Sequence, residues 1–209
     1  VYVAAYTSGS LIGPNAGGTD AVVAQYTLDG DLVWAKQFGS SADDNNFQVA
    51  ADALGNVWSA GGTYGNLGGP YEGGQDVYLA KHDVNGNLQW IRHWGTTGEE
   101  INAKIWADGQ GNVFLATSST AALAGPNLGG DDIVVAKYDA AGNQLWAKQF
   151  GTSGNEIPSG GGITGNSLGN IYITGSTTSS WGSPNAGSDD VVLIKLSSPA
   201  NSATVNDAA

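Results

Sequence analysis

The segment GNVFLATSSTAALAGPNLGGDDIVVAKYDAAGNQLWAKQF, residues 111–150, is one unit of an internal repeat. Its first apolar run, VFLATSS at 113–119, aligns with VYVAAYT at 1–7, VWSAGGT at 57–63 and IYITGST at 171–177, so the copies are 56, 56 and 58 residues apart. Trp34, Trp90 and Trp146 fall in one register of this alignment. A period near fifty residues with about four short apolar runs per unit predicts a β-propeller or a related array.

The apolar runs are typical of β-strands. They are short, rich in β-branched and aromatic residues, and bounded by Gly, Asn and Asp. In DVVLIKL at 190–196, apolar residues occupy both alternating faces, as expected for a sheet covered on both sides. We therefore predict an all-β fold of four-stranded blades. Fourteen strands in groups of three, four, four and three would make about 3.5–4 blades, beginning at the second strand of the first blade.

Composition excludes several classes of function. The 209 residues carry 19 acidic and seven basic side chains, and the net charge of −12 argues against nucleic acid and anionic membranes as partners. No apolar run approaches the roughly 20 residues of a membrane helix, so no membrane insertion is expected. The absence of cysteine removes disulfides, thiol catalysis and thiolate metal sites. An acidic, cysteine-free chain rich in Gly, Asn, Ser and Thr suits an extracellular or bacterial cell-surface location. The first residues already match mid-repeat sequence, as expected of a mature or excerpted piece of a longer protein.

Four motifs resemble the bacterial SBBP repeat, the "seven-bladed β-propeller" repeat of secreted and surface proteins. They are GGTDAVVAQY at 17–26, GGQDVYLAKH at 73–82, GGDDIVVAKY at 129–138 and GSDDVVLIKL at 187–196. The resemblance covers residues 1–198 in units starting at 1, 57, 113 and 171. It implies scaffolds or binding modules without shared catalytic residues. Residues 199–209 depart from the pattern, so a linker and a degenerate closing strand are both open.

The incomplete set of blades leaves three alternatives for the ring. Two copies of the chain would make seven blades, further blades could lie elsewhere in a longer polypeptide, or the tail could donate a strand to a four-bladed ring. Self-association or neighbouring blades are therefore the expected partners, because unpaired sheet edges invite association.

Repeated acidic and amide residues in the Gly-rich loops could cap the following strand or bind calcium through oxygen ligands. Calcium is the only cofactor that the sequence suggests. The residues concerned are Asp20, Asp76, Asp131, Asp132, Asp189, Asp190, Asn15, Asn127 and Asn185.

Six of the seven basic residues also repeat in register. Lys36, Arg92 and Lys148 form one set, and Lys81, Lys137 and Lys195 form the other. We predict that they pair with repeated acids between strands or blades. The repeated tryptophans are expected to pack in the core, with a sugar-stacking platform as the alternative.

Lys104 and Trp106 are not repeated in the first unit, where Gln48 and Ala50 stand at the matching positions. They share one face of a strand and, with Glu99 and Glu100 at its start, are the candidate ligand-binding residues. No zinc motif, nucleophile elbow or phosphate loop is present, so no catalytic residues are predicted. Two functions remain: a non-enzymatic surface scaffold, or a module that binds carbohydrate or another ligand.

Overall fold

The computed structural model of the chain describes residues 1–197 in full and residues 202–207 as backbone only. Every regular element in this part is a β-strand. The strands are β1 (Tyr2–Thr7), β2 (Asp20–Tyr26), β3 (Leu32–Phe38), β4 (Asp44–Ala51), β5 (Val57–Thr63), β6 (Asp76–His82), β7 (Leu88–Trp94), β8 (Glu100–Ala107), β9 (Val113–Ser119), β10 (Asp132–Tyr138), β11 (Gln144–Phe150), β12 (Glu156–Gly165), β13 (Ile171–Thr177), β14 (Asp190–Ser197) and β15 (Ser202–Asp207). No helix long and apolar enough to cross a bilayer occurs in these residues.

The strands form four antiparallel sheets, each ordered along the chain. Sheet 1 contains β1–β3, sheet 2 β4–β7, sheet 3 β8–β11 and sheet 4 β12–β15. Sheet 1 has only three strands, because β1 matches the second strand of each later sheet, and this was the predicted starting point. The predicted β-propeller architecture is confirmed.

Sheet 4 has one strand more than predicted. Strand β15 pairs antiparallel with β14, with Lys195 opposite Thr204. It occupies the outermost position, as β7 and β11 do in their sheets. The tail strand therefore completes its own sheet and does not pair with β1. The rest of the predicted tail, 199–201 and 208–209, lies outside the described residues.

Successive sheets pack face to face, with the inner strands β4, β8 and β12 in contact with the neighbouring sheet. Three apolar clusters fill the three spaces between sheets. Strands β5 and β6 are buried at every position, as the two-sided apolar pattern predicts. Strand β13 alternates between buried and more exposed positions, because the described residues cover only one face of sheet 4.

Candidate interaction surface

The repeated Asp at the start of the third strand of each blade fastens its own Gly-rich loop. Asp132 is buried, and its Oδ2 accepts hydrogen bonds from the N–H of Leu128 at 3.0 Å and from Nε2 of Gln149 at 3.0 Å. Asp20 has the same two kinds of partner, while Asp76 accepts from a loop N–H and contacts Nε2 of His93 at 2.8 Å. The geometry is that of a strand cap.

The repeated Asn side chains close the same loops. Asn127 donates from Nδ2 to the carbonyl of Gly130 at 2.9 Å and accepts the N–H of Gly129 at 3.2 Å. Asn15 makes the equivalent pair of bonds, and Asn185 accepts the N–H of Gly187. Each Asn therefore forms an Asx-type turn.

Calcium binding at these loops remains a prediction. Oδ1 of Asp20, Asp76 and Asp132 has no hydrogen-bond partner within the described part, but it lies against a glycine backbone. A methyl group at Gly95, for example, would overlap the carboxylate of Asp76. Among the described residues, no three Asp, Glu or His side chains form a group that could hold a metal ion. Asp131 is partly buried, Asp189 is exposed, and Asp190 accepts the N–H of Ala186 at 2.8 Å.

A second set of carboxylates is buried at the starts of the inner strands: Asp44, Glu100 and Glu156. Glu100 accepts the N–H and hydroxyl of Thr96, both at 2.8 Å, and the hydroxyl of Ser119 at 2.6 Å. Burial raises the pKa of Glu100, and these hydrogen bonds oppose the rise. The bonds hold the inner strand to the preceding turn and to the next strand.

The neighbouring acidic or amide residue joins two sheets. Glu99 Oε2 accepts the N–H of Gln75, in the loop of sheet 2, at 2.9 Å. Asp43 accepts the N–H of Thr19 at 2.8 Å and joins sheet 2 to sheet 1. Asn155 accepts the N–H of Asp131 at 3.1 Å and joins sheet 4 to sheet 3. Glu99, a candidate ligand residue, is thus part of a repeated link between sheets.

Lys81 and Arg92 contact the neighbouring sheet, but their hydrogen-bond partners are not the repeated acids that the sequence predicted. Lys81 donates to the carbonyl of Ala140 at 2.8 Å, and Arg92 donates from Nε to the carbonyl of Gly142 at 2.7 Å. Lys137 does lie near a carboxylate, since its Nζ is 3.9 Å from Oδ2 of Asp108. The partners of Lys81 and Arg92 are backbone carbonyls of the next turn, which have no signature in the sequence.

The repeated tryptophans make the same kind of contact while they pack between sheets. Trp34 Nε1 donates to the carbonyl of Val84 at 3.0 Å, and Trp90 Nε1 donates to the carbonyl of Ala140 at 3.1 Å. Arg92 also lies over the Trp90 ring, 5.2 Å from its centroid. The indole and the cation of one outer strand therefore clamp the turn of the following sheet.

The four candidate ligand residues are not brought together. Glu100 pairs with Ser119 at one end of β8, while Trp106 pairs with Phe114 at the other. Lys104 and Trp106 do share a face, since they lie against Gly162 and Gly165 of sheet 4. Trp106 also lines a cavity of about 260 Å³ with Asp108, Phe114, Lys137 and residues 166–169 of the β12–β13 turn.

The face of sheet 4 that points away from sheet 3 is not covered by any other described sheet, although its residues match those that fill the spaces between the other sheets. Val191 is 62% exposed, whereas the matching Val77 and Ile133 are 1% and 0% exposed. Thr174 is likewise exposed where Ala60 and Ala116 are buried. Sequence comparison alone could not detect this face, because the residue types are similar in every unit.

The stacked sheets and their repeated clamps define the chain as a β-propeller repeat protein. Residues 145–180 match the family model of the SBBP β-propeller repeat, which confirms the resemblance over that segment. The chain is also similar to the regulatory protein FlaEY of Caulobacter vibrioides, with 27% identity over 159 residues. The alignment covers 72% of this chain and 16% of the relative, so the chain spans only a small part of that protein.

Proposed function

We propose that the chain is a non-enzymatic structural module that builds a larger assembly by stacking its open sheet faces on neighbouring propeller sheets. The observation that carries this proposal is the exposure of Val191 at a position that is buried in both internal sheets. A valine that is buried against the next sheet in two units and exposed in sheet 4 indicates a face that a further sheet can cover. The partner that fits is another sheet with the same two-sided pattern.

The inner edge of sheet 1 supports the same function. Within the described residues, β1 pairs only with β2, whereas its counterparts β5, β9 and β13 each lie between two strands. The edge therefore presents unpaired backbone groups that another strand can join. Val3 and Tyr6 on this strand are 39% and 55% exposed.

The buried carboxylates favour a structural role over catalysis. Glu100 and Glu156 are fully buried and accept hydrogen bonds from the Ser and Thr side chains around them. Their oxygens already have partners in the fold, so they are poorly placed to act on a substrate. Placement outside the cell or on its surface is proposed from composition and from the resemblance to SBBP repeats.

Replacing Val191 with Asp is expected to weaken self-association of the chain. Light scattering over a concentration series should give an average mass above 21.2 kDa for the parent chain. The variant should need about ten-fold higher concentration for the same mass, because stacking would bury a carboxylate. The matched control is Leu54→Asp, which changes a residue that is 69% exposed in the β4–β5 turn, away from the open face.

Two results would contradict the scaffold proposal. One is a parent chain that stays monomeric at the highest concentration reached. The other is an association that Val191→Asp and Leu54→Asp weaken equally. Repeating the series with Ca²⁺ and with a chelator tests the calcium prediction, because a chelator-dependent mass would place the ion at the joint.

A second candidate function, binding of surface glycans, is favoured by the cavity beside Trp106. An indole next to Asp108 and Lys137 offers a stacking surface with hydrogen-bonding groups at its rim. Trp106→Ala is expected to abolish glycan-array binding, while Trp106→Phe should retain part of it. Circular dichroism would verify that both variants are folded, and an array without any signal for the parent chain would remove this candidate.

A further inference from the structure

A two-part clamp joins sheet 1 to sheet 2 and recurs between sheets 2 and 3. A methyl group on Gly86 would lie 2.6 Å from Cδ2 of Trp34 and 3.1 Å from Cε of Lys36, so this glycine is covered by both side chains. Gly142, one sheet further on, is covered in the same way by Arg92. The outer strands of sheets 1 and 2 thus each present a Trp-x-Lys/Arg sequence that covers the turn of the next sheet.

Sheet 1 has a turn equivalent to 83–87 and 139–143, but no described Trp or basic side chain covers it. In turn 27–31, the N–H of Thr27 bonds to the carbonyl of Asp31 at 2.8 Å, as the N–H of Asp83 bonds to the carbonyl of Asn87 at 2.9 Å. Gly30 has a φ of 90°, close to the 77° of Gly86. Nothing in the described part of the chain lies within 4 Å of where a Gly30 Cβ would be.

The surroundings of this turn are open in a matching way. Leu11 is 66% exposed, whereas Leu67, at the same position of sheet 2, is 5% exposed and packs beside Phe38 of sheet 1. Tyr26 is partly exposed, whereas the matching His82 is completely buried. We call the surface formed by Leu11, Tyr26 and turn 27–31 the socket.

The charge of the socket indicates what fits it. Turn 27–31 contains two carboxylates, Asp29 and Asp31, whereas turn 83–87 contains only Asp83 and turn 139–143 only Asp139. A cation that reaches this turn would therefore meet more negative charge than Arg92 meets on sheet 3. An aromatic N–H donor and a cation, two residues apart on one strand, complement the socket.

A second copy of the chain does not carry this pair on its outermost strand. Thr204 stands opposite Lys195, where Trp146 stands opposite Lys137 in sheet 3. Asn206 stands opposite Leu193, where Lys148 stands opposite Val135. Strand β15 therefore has neither the indole nor the cation.

We propose that the socket of sheet 1 docks a further propeller unit of the same repeat type, whose outer strand carries Trp-x-Lys or Trp-x-Arg. This inference rests on the proposed scaffold function and assigns the partner of one of its two faces. The contacts at Val84 and Ala140 describe the interface: an indole N–H on the carbonyl of Leu28 and a cation at the carbonyl of Gly30.

The test installs the missing pair in the chain itself. The double variant Thr204→Trp/Asn206→Lys should associate with the parent chain about ten-fold more tightly than the parent chain associates with itself, measured by sedimentation velocity. The gain should disappear when the other chain carries Asp29→Lys/Asp31→Lys. These two changes reverse the charge of an exposed turn and leave the backbone hydrogen bonds in place. A gain that survives the charge reversal, or no gain from a folded double variant, would overturn the proposal.

If the double variant does not fold, a second measurement tests whether the socket binds a Trp-x-Lys strand. A peptide with the sequence of 144–150, QLWAKQF, should shift the amide resonances of Leu28 and Gly30 in the parent chain. The peptide with Ala in place of Trp should not, and an absence of shifts with the Trp peptide would count against the socket. If Val191→Asp weakens association while the socket variants have no effect, the scaffold proposal stands and the socket proposal fails. If the socket variants change association while Val191→Asp has no effect, the socket proposal stands and the role of Val191 in stacking fails.

Discussion

Replacing Trp90 with alanine is expected to destabilise the fold by about 3 kcal/mol, in the range of large-to-small aromatic substitutions. The side chain packs between sheets 2 and 3, donates a hydrogen bond to Ala140 at 3.1 Å and lies under the guanidinium of Arg92. Its loss would remove all three interactions and leave the Ala140 carbonyl with Lys81 alone of its two side-chain donors. Urea denaturation followed by circular dichroism measures the change.

Trp90→Phe separates the hydrogen bond from the packing. It retains most of the apolar contact and should cost about 1 kcal/mol, the usual net value of one hydrogen bond. Leu88→Ala, on the same strand and 45% exposed in the parent chain, is the surface control and should change stability by less than about 0.5 kcal/mol. If Trp90→Ala were as mild as Leu88→Ala, the clamp would not be a main stabilising contact.

The stability of each sheet interface has a consequence for cooperativity. In repeat arrays, stability is approximately a sum of unit and nearest-neighbour terms. Loss of the Trp90 clamp weakens the boundary between sheets 2 and 3 alone. Unfolding of the Trp90→Ala variant should therefore be broader than that of the parent chain, because the two sides of the boundary are less coupled.

The fold could be predicted because the repeat places equivalent positions side by side. The alternation of apolar residues on both strand faces predicts that β5 and β6 are buried on both sides, and they are. The sequence of β15, SATVND, does not decide between a linker and a strand, because it lacks the aromatic and basic residues of β7 and β11. Its place as the outermost strand comes from backbone pairing with β14, which needs no particular side chains.

The contacts of the repeated cations could not be predicted for a related reason. Lys81 and Arg92 bind carbonyls of turn 139–143, and every residue has a carbonyl. A register of basic residues beside a register of acids suggests ion pairs, whereas Lys81 and Arg92 donate to carbonyls. The repeat indicated correctly that these side chains contact a neighbouring sheet, but it did not indicate that their partners are carbonyl oxygens.

The candidate ligand residues show how a local irregularity limits sequence reasoning. Strand β8 has a register shift between Ile101 and Lys104, and Asn102 has a positive φ of 63°. Counting residues along an ideal strand does not reveal such a bulge. The shared face of Lys104 and Trp106 was predicted correctly, whereas Glu99 and Glu100 belong to the links at the opposite end of the strand.

Acidification is expected to destabilise the chain through His82. This side chain is completely buried, packs 5.4 Å from the ring of Phe38, and has no hydrogen-bond partner for either ring nitrogen in the described structure. Burial lowers its pKa from 6.5 to about 4. The charge of Asp83 opposes this shift, and that of Lys36 reinforces it. Between these two pKa values the unfolded chain binds a proton that the folded chain does not.

The sign and size of the effect follow from this difference in proton binding. The contribution of His82 to stability is complete above pH 6.5, declines as the pH falls, and is lost below about pH 4. At about 1.4 kcal/mol per pKa unit, the total loss is about 3 kcal/mol. The raised pKa of Glu100 acts in the opposite direction, because a folded state that binds its proton more tightly gains stability as the pH falls.

His82→Phe isolates the histidine, since Glu100 contributes equally to both proteins and cancels in the comparison. The aromatic packing on Phe38 is retained, and the adjoining cavity of about 280 Å³ gives the larger ring room. Urea midpoints measured from pH 7.5 to 4 should fall less steeply for His82→Phe than for the parent chain. His93→Gln is the control at the other histidine, because Gln37 and Gln149 make the matching contacts to Asp20 and Asp132. Parallel curves for the parent chain and His82→Phe would contradict this prediction. They would mean that His82 takes up its proton at the same pH in the folded and the unfolded chain, so that the packing around Phe38 opens at acidic pH.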